Sequence, residues 1–239
     1  MSKIFVLVHG AFAGEYAWAK VKPLLEADGN AVVTFDLPGH GDDTTTANAA
    51  TFDSYVETTS KFIEAQPEKV ILVGHSMGGV VISQVAENLP DRINKLVYLS
   101  AYLPKNGQTL QELAETDAES LIGPNLKFAD DFSGASLPNQ IAVEVFVGDC
   151  SDEIKELVIA RAKLEPLGAF QAKISLTAEN FGSIDKYYIR TTNDRGVGPA
   201  LQDRMIAGNG TVKQVFDIAS GHSPYFAKPL ELAKILNSL

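Results

Sequence analysis

The feature that most constrains this chain is a glycine-flanked serine that follows a short apolar run. Residues 69–79 read Lys-Val-Ile-Leu-Val-Gly-His-Ser-Met-Gly-Gly. The β-branched run predicts a strand buried on both faces, and the apolar residues after Met77 recur with helical spacing. Gly74 and Gly78 leave room for the strand and the helix to approach each other, so Ser76 is placed on a strained turn. The pattern predicts a nucleophile elbow, and a plain glycine-rich turn is the alternative.

Strand-like and helix-like segments alternate along the chain. Strands are predicted at 3–8, 31–36, 69–74, 94–100, 186–191 and 213–218, and helices at 16–28, 52–65, 77–89, 197–207 and 229–239. Such alternation implies an α/β fold with a mostly parallel sheet and helices on both faces. The alternation fails over 104–184, which is too long for a structureless loop in a compact domain. We therefore predict a core of residues 1–103 and 185–239 with an inserted cap over 104–184.

Composition and charge restrict the function. With 239 residues and 45% hydrophobic content, the chain can bury one sizeable core. The formal net charge of −10 disfavours binding to nucleic acid or to an anionic membrane surface. Cys150 is the one cysteine and lacks neighbours at metal-ligand spacing, so we predict a structural role for it and no metal site. The apolar run at 3–8 is too short for a signal peptide or a membrane span, which favours a soluble, cytoplasmic protein.

A nucleophilic serine requires a base that is oriented by a carboxylate. Among the four histidines, His222 follows the last predicted strand, where its loop can fold back over the elbow. The alternative for a lone histidine is a surface position or a satisfied place in the core, which we assign to His9, His40 and His75. His222 is the candidate base.

The carboxylate is expected between Ser76 and His222 in the chain, at the carboxyl end of a strand. Asp194 fits because it follows the 186–191 strand, whereas Asp203 falls in a predicted helix and Asp217 in a strand. A loop aspartate that pairs with Arg195 or caps the next helix is the alternative.

An ester carbonyl under attack develops an oxyanion, which requires two backbone donors. The expected donors are the amide after the nucleophile, Met77, and an amide of the loop after the first strand, Ala11. In the same loop Gly10 and Phe12 are candidate substrate-contacting residues, with plain packing an equal alternative for Phe12. The tight turn Asp36-Leu-Pro-Gly-His-Gly41 is interpreted as architectural.

At these residues the chain resembles the plant methylesterase and hydroxynitrile lyase branch of the α/β-hydrolases, and related bacterial esterases. The resemblance runs nearly end to end and is carried by segments 5–10, 18–27, 74–79, 181–183 and 192–194. It implies the α/β-hydrolase fold, a Ser76–Asp194–His222 triad and an oxyanion hole formed by Ala11 and Met77. It also implies an apolar pocket under the cap and, often, a homodimer.

Two positions depart from the lyases of this branch. Those enzymes place a threonine where Gly10 stands and a lysine where Ser223 stands. We therefore expect a cofactor-free serine esterase that acts on a small, largely apolar carboxylic ester. A lyase-like enzyme, and a non-enzymatic small-molecule receptor on the same fold, are the alternatives.

Overall fold

The architecture is a parallel sheet that carries helices on both faces. In the computed structural model, which describes residues 2–239, the strands are β1 Ile4–Val8, β2 Ala31–Thr34, β3 Val70–His75, β4 Ile93–Leu99, β5 Lys127–Phe128, β6 Gly134–Ser136, β7 Glu165–Pro166, β8 Asp185–Thr191 and β9 Val212–Ile218. Six of them form a sheet in the order β2-β1-β3-β4-β8-β9, and every neighbouring pair is parallel. The predicted α/β class and mostly parallel sheet are confirmed.

The helices are α1 Lys22–Ala27, α2 Phe52–Glu64, α3 Gly78–Asn88, α4 Leu110–Ala114, α5 Asn139–Val147, α6 Asp152–Ala160, α7 Pro199–Asn209, α8 Pro224–Ala227 and α9 Pro229–Ser238. None of them, within the described part of the chain, is long and apolar enough to cross a membrane.

Strand β1, which lies between β2 and β3, shows why its sequence is continuously apolar. Ile4, Val6 and Val8 pack into the apolar cluster that includes α2 and α3. Phe5 and Leu7 point the other way, into the cluster that includes α1 and α9. Successive side chains of a strand alternate between faces, so a strand covered on both faces needs an apolar residue at every position.

The predicted helix at 16–28 is wrong as a single element. The structure has a 3₁₀ helix at Glu15–Trp18 and then α1. Pro23 lacks an amide hydrogen, and its ring would clash with the carbonyl of Ala19 in a continuous helix. The chain therefore breaks between the two short helices.

Residues 104–184 leave the main sheet after β4 and return to it at β8. We call this stretch the inserted segment. It contains α4, α5, α6 and a small antiparallel sheet in the order β5-β6-β7. Its apolar residues extend both core clusters, with Val145 and Phe146 in one and Ala169 and Ile174 in the other. The segment is thus packed onto the core along much of its length.

Candidate active site

Ser76 stands at the end of β3 with a backbone φ of 52°. This left-handed conformation is unusual for a residue with a side chain, and it marks a strained turn. A Cβ at Gly74 would lie 2.6 Å from the carbonyl oxygen of Gly78, and a Cβ at Gly78 would lie 2.9 Å from the Val8 carbonyl oxygen. The two glycines are therefore required by close backbone approach, as the sequence pattern predicts.

Asp194 and His222 meet in the interior beside this turn. Nδ1 of His222 lies 2.9 Å from each carboxylate oxygen of Asp194, and both side chains are fully buried. Asp194 Oδ2 also accepts a hydrogen bond from Thr191 at 2.6 Å, and Oδ1 accepts the amide of Gly196 at 2.7 Å. A carboxylate with this many donors is held in one orientation and fixes the imidazole that it contacts.

The second ring nitrogen of His222, Nε2, is not bonded to another residue of the described chain. With Nδ1 as the donor to Asp194, Nε2 is the ring nitrogen that can accept a proton. Nε2 is buried and has no hydrogen-bond partner among residues 2–239, the Ser76 hydroxyl included. The His222 ring lies 4.6 Å from the ring of His75, the residue directly before Ser76. The structure thus places an uncommitted imidazole nitrogen beside the elbow.

His75 contributes a contact that the sequence analysis did not foresee. Its Nε2 lies 2.8 Å from the carbonyl oxygen of His222 and donates to it. Burial, and then the neighbouring His222, hold the pKa of His75 well below its ordinary value, so the ring is neutral. His75 is therefore a buried, neutral residue whose Nε2 is bonded and whose Nδ1 has no partner among residues 2–239, and it ties the elbow to the loop of the candidate base. The sequence feature that could have indicated this contact is the position of His75 directly before Ser76.

The two residues expected to supply oxyanion donors line a common space. Met77 follows Ser76 immediately before α3, and Ala11 lies in the loop after β1. Both residues line the same cavity as Ser76. Neither amide donates a hydrogen bond to another backbone group in the described chain. The N-terminus of α3 adds a favourable dipole for negative charge at Met77.

Gly10 is buried against the elbow and does not line the cavity. A Cβ at this position would lie 2.7 Å from the Ser76 Cβ and 2.9 Å from Nδ1 of His75. The carbonyl oxygen of Gly10 lies 2.8 Å from Nδ1 of His9. Burial, and then the nearby His40, lower the pKa of His9 to about 3, so His9 is a neutral donor here. Gly10 permits a close approach of the loop to Ser76.

A cavity of about 480 Å³ opens above Ser76 between the core and the inserted segment. Its wall is mainly apolar and is built from Ala11, Phe12, Ser76 and Met77 of the core and from Leu110, Ile122, Leu126, Phe128, Leu167 and Phe170 of the inserted segment. Phe12 thus lies where a substrate would be contacted. Phe132, an apolar residue of the same segment, is instead 72% exposed.

The rejected acids lie outside the site. Asp203 and Asp217 both pair with Arg190 near the surface, the latter with 2.8 Å between Oδ1 and the guanidinium Nε. Within residues 2–239 no group of acidic, histidine and cysteine side chains could hold a metal ion. Cys150 is partly buried, and burial together with Asp149 raises the pKa of its thiol to about 12.

Known proteins resemble this chain over nearly its whole length. The family model described as "Alpha/beta hydrolase family" matches residues 5–235. Methylesterase 1 of Arabidopsis thaliana is 30% identical over 96% of this chain and 92% of its own length. Salicylic acid-binding protein 2 of Nicotiana tabacum is 30% identical over 98% of this chain and 95% of its own.

Among solved structures, polyneuridine aldehyde esterase superposes with a TM-score of 0.88 at 28% identity, over 100% of this chain and 99% of that one. The chain belongs to the α/β-hydrolase family. Its relatives further identify it as an ester hydrolase of the α/β-hydrolase type.

Proposed function

We propose that the protein is a serine carboxylesterase that works through an acyl-enzyme intermediate. The observation that carries the proposal is the buried His222–Asp194 pair, whose Nε2 is free and whose ring lies 4.6 Å from that of His75, the residue before a serine on a strained turn. His222 takes the proton of Ser76 as the hydroxyl attacks the ester carbonyl, and Asp194 stabilises the resulting imidazolium. The amides of Ala11 and Met77 bind the oxyanion.

The second half of the cycle repeats these roles with water. His222 first gives its proton to the departing alcohol, which leaves the acyl group on Ser76. Water then enters, loses a proton to His222 and attacks the acyl carbonyl, and the same two amides bind the second oxyanion. The final proton returns to Ser76 as the carboxylic acid leaves. Each step uses groups that the site holds.

The cavity supports a small, largely apolar ester as the substrate. Its wall is mainly apolar, and burial of one medium-sized apolar group contributes about 1.5–3 kcal/mol. The carboxylates of Glu115 and Asp117 also line it and disfavour an anionic substrate. Because relatives are named as methylesterases, methyl esters of uncharged aryl and short alkyl acids are the first compounds to test.

The lyase alternative has less support. A threonine in place of Gly10 would need the backbone to move, because even a Cβ there comes within 2.7 Å of Ser76. Ser223, at the position of the lyase lysine, is buried with its hydroxyl 3.0 Å from that of Tyr225. The receptor alternative uses the same cavity without turnover.

The test is a hydrolysis panel that varies acyl length and alcohol size, run on the parent and on Ser76→Ala. We expect kcat to fall by about 10⁴- to 10⁶-fold in the variant, with the fold unchanged. Ser175→Ala, which removes an exposed hydroxyl outside the cavity, is the matched control and keeps most of the turnover. A covalent serine probe that leaves Ser76 unlabelled, with tight retention of a ligand, would favour the receptor.

A further inference from the structure

A carboxylate of the inserted segment is buried against the loop that carries Ala11. Glu165 opens β7, and none of its side chain is exposed. Its Oε2 accepts a hydrogen bond from the backbone amide of Phe12. Its two oxygens also lie 3.1 and 3.0 Å from Nε2 of His40, in the turn after β2. One side chain from outside the core thus joins two loops of the core.

The hydrogen-bond partners define the charge state of this pair. Nδ1 of His40 lies 3.1 Å from the carbonyl oxygen of Pro38, which can only accept, so Nδ1 carries a hydrogen. Nε2 faces a carboxylate and also carries one. Burial by itself would lower the pKa of His40, but attraction to Glu165 and the hydrogen bond to it outweigh burial and raise it. The raised pKa of His40 therefore favours its imidazolium form beside the Glu165 carboxylate.

The amide that Glu165 holds belongs to a strained residue. Phe12 has a φ of 58°, in the left-handed region that a residue with a side chain rarely adopts. Such a conformation is unfavourable and persists only where the surroundings enforce it. The bond from the Phe12 amide to a buried carboxylate is a charge-assisted contact of the kind that can enforce it.

Two contacts together set the direction of the Ala11 amide. In a trans peptide the carbonyl and the amide hydrogen point in opposite directions. His9 holds the carbonyl of Gly10, which belongs to the same peptide unit as the Ala11 amide. Glu165 holds the next peptide unit through the Phe12 amide. With both units fixed, the amide of Ala11 points away from His9, and Ala11 itself lines the cavity above Ser76.

We propose that Glu165 is a positioning residue for ester hydrolysis, which acts through Phe12 to orient the Ala11 amide toward the developing oxyanion. The inference rests on the proposed serine esterase function. His40 is the partner of Glu165, because its Nε2 contacts both oxygens of the buried carboxylate, which the single Phe12 amide cannot satisfy. Glu165 is expected to affect the transition state and not substrate binding, because the oxyanion forms only after attack on the ester.

The test compares a variant that keeps the acceptor with one that removes it. In Glu165→Gln the amide oxygen still accepts from Phe12, and the amide nitrogen can donate to a neutral His40. In the double variant Glu165→Leu with His40→Leu both charges are removed together, so no unpaired ion is left in the core. Glu156→Leu, an exposed glutamate of the same segment, is the matched control.

For the double variant we expect kcat with p-nitrophenyl acetate to fall by about 10- to 100-fold, because displacement of an oxyanion donor affects the transition state. KM is expected to stay within about threefold, since ground-state binding uses the cavity wall. Affinity for a trifluoromethyl ketone, which forms an oxyanion on Ser76, falls in parallel with kcat. Glu165→Gln recovers most of the loss, and Glu156→Leu equals the parent.

Thermal unfolding of each variant establishes that it is folded. If the double variant does not fold, Glu165→Asp replaces it, because it keeps the charge and withdraws the carboxylate by about 1.5 Å. The same loss of kcat at constant KM is expected there. An unchanged kcat in the folded variant, a rise of KM alone, or a Glu165→Gln variant as impaired as the double variant would overturn the proposal.

The serine mechanism and the role of Glu165 are contradicted by different outcomes. If parent turnover does not fall in Ser76→Ala, the serine mechanism is wrong, whatever Glu165 does. If turnover depends on Ser76 and the folded double variant keeps the parent kcat, only the role of Glu165 is wrong.

Discussion

Asp149 accepts a hydrogen bond of 2.7 Å from the backbone amide of Gly221, the residue directly before His222. Asp149 lies between α5 and α6 of the inserted segment, and Gly221 lies in the loop after β9. In the same region Phe146 places its ring 5.8 Å from that of His222. The loop that carries the candidate base is thus supported from outside the core.

Asp149→Ala is predicted to lower kcat by about three- to tenfold, because the loop of His222 loses one hydrogen bond worth about 0.5–1.5 kcal/mol. Steady-state kinetics with a small ester measure the effect. Asp152→Ala, which removes an exposed ion pair with Lys155 nearby, is the matched control and leaves kcat unchanged. Equal effects of the two substitutions would argue against a role for the Asp149 contact.

Asp194→Asn is predicted to lower turnover by about 10⁴-fold, because the amide cannot hold His222 in the required tautomer or stabilise its charged form. The fold is expected to survive, since Asn can keep part of the hydrogen-bond set. Asp203→Asn is the control, because that carboxylate pairs with Arg190 near the surface. If Asp203→Asn abolished activity while Asp194→Asn did not, the acid has been assigned to the wrong residue.

The stability of the fold is predicted to fall as the pH drops below about 6.5, and His9 is one cause. Its pKa is lowered to about 3 in the folded protein, chiefly by burial, and is ordinary in the unfolded chain. Between these values the unfolded chain binds one more proton, so acid favours unfolding by about 1.4 kcal/mol per pH unit for this group.

Urea unfolding at several pH values between 6.5 and 4 measures that dependence. His9→Gln, whose side chain can still bond the loop, is expected to reduce the slope by about one proton. His75, whose pKa is also lowered by burial, contributes in the same direction and remains in the variant. An unchanged slope would show that His9 is charged in the folded state.

Cyanide release from mandelonitrile is predicted to be negligible beside ester turnover. The tight fit of Gly10 against Ser76 and the bond between Ser223 and Tyr225 stand where the lyases of this branch carry their threonine and lysine. A colorimetric cyanide assay, run with the best ester as reference, is sufficient. Cyanide release as fast as hydrolysis of that ester would support the lyase alternative instead.

The sequence predicted those parts of the molecule that depend on local patterns. The buried strands and the turn from Gly74 to Gly78 show their periodicity and spacing in a single sequence. Ser76, Asp194 and His222 are predicted because each follows a predicted strand in the chain order of the fold. Predicted helix ends after residue 50 differ from the observed ones by at most two residues. The cytoplasmic location, the cap function and a homodimer stay predictions, and some relatives are named as chloroplastic.

The contacts of Glu165 and Asp149 could not be predicted in this way. Glu165 and His40 are 125 residues apart, and each is a single polar residue in an irregular stretch with no periodic signal. The turn at 36–41 is predicted to be architectural, and the contact of its His40 with Glu165 has no signal in the sequence. Such contacts depend on how the inserted segment lies on the core.

The inserted segment contacts each of the three loops that form the site. Ser120 bonds the carbonyl of Gly196 in the Asp194 loop at 2.9 Å, Asp149 supports the His222 loop and Glu165 the Ala11 loop. A chimera that grafts a relative's segment onto this core would therefore change reactivity as well as selectivity. Substitutions at these three contacts would also disturb the core loops that they support. A new substrate range is therefore expected to arise from substitutions elsewhere in the cavity wall.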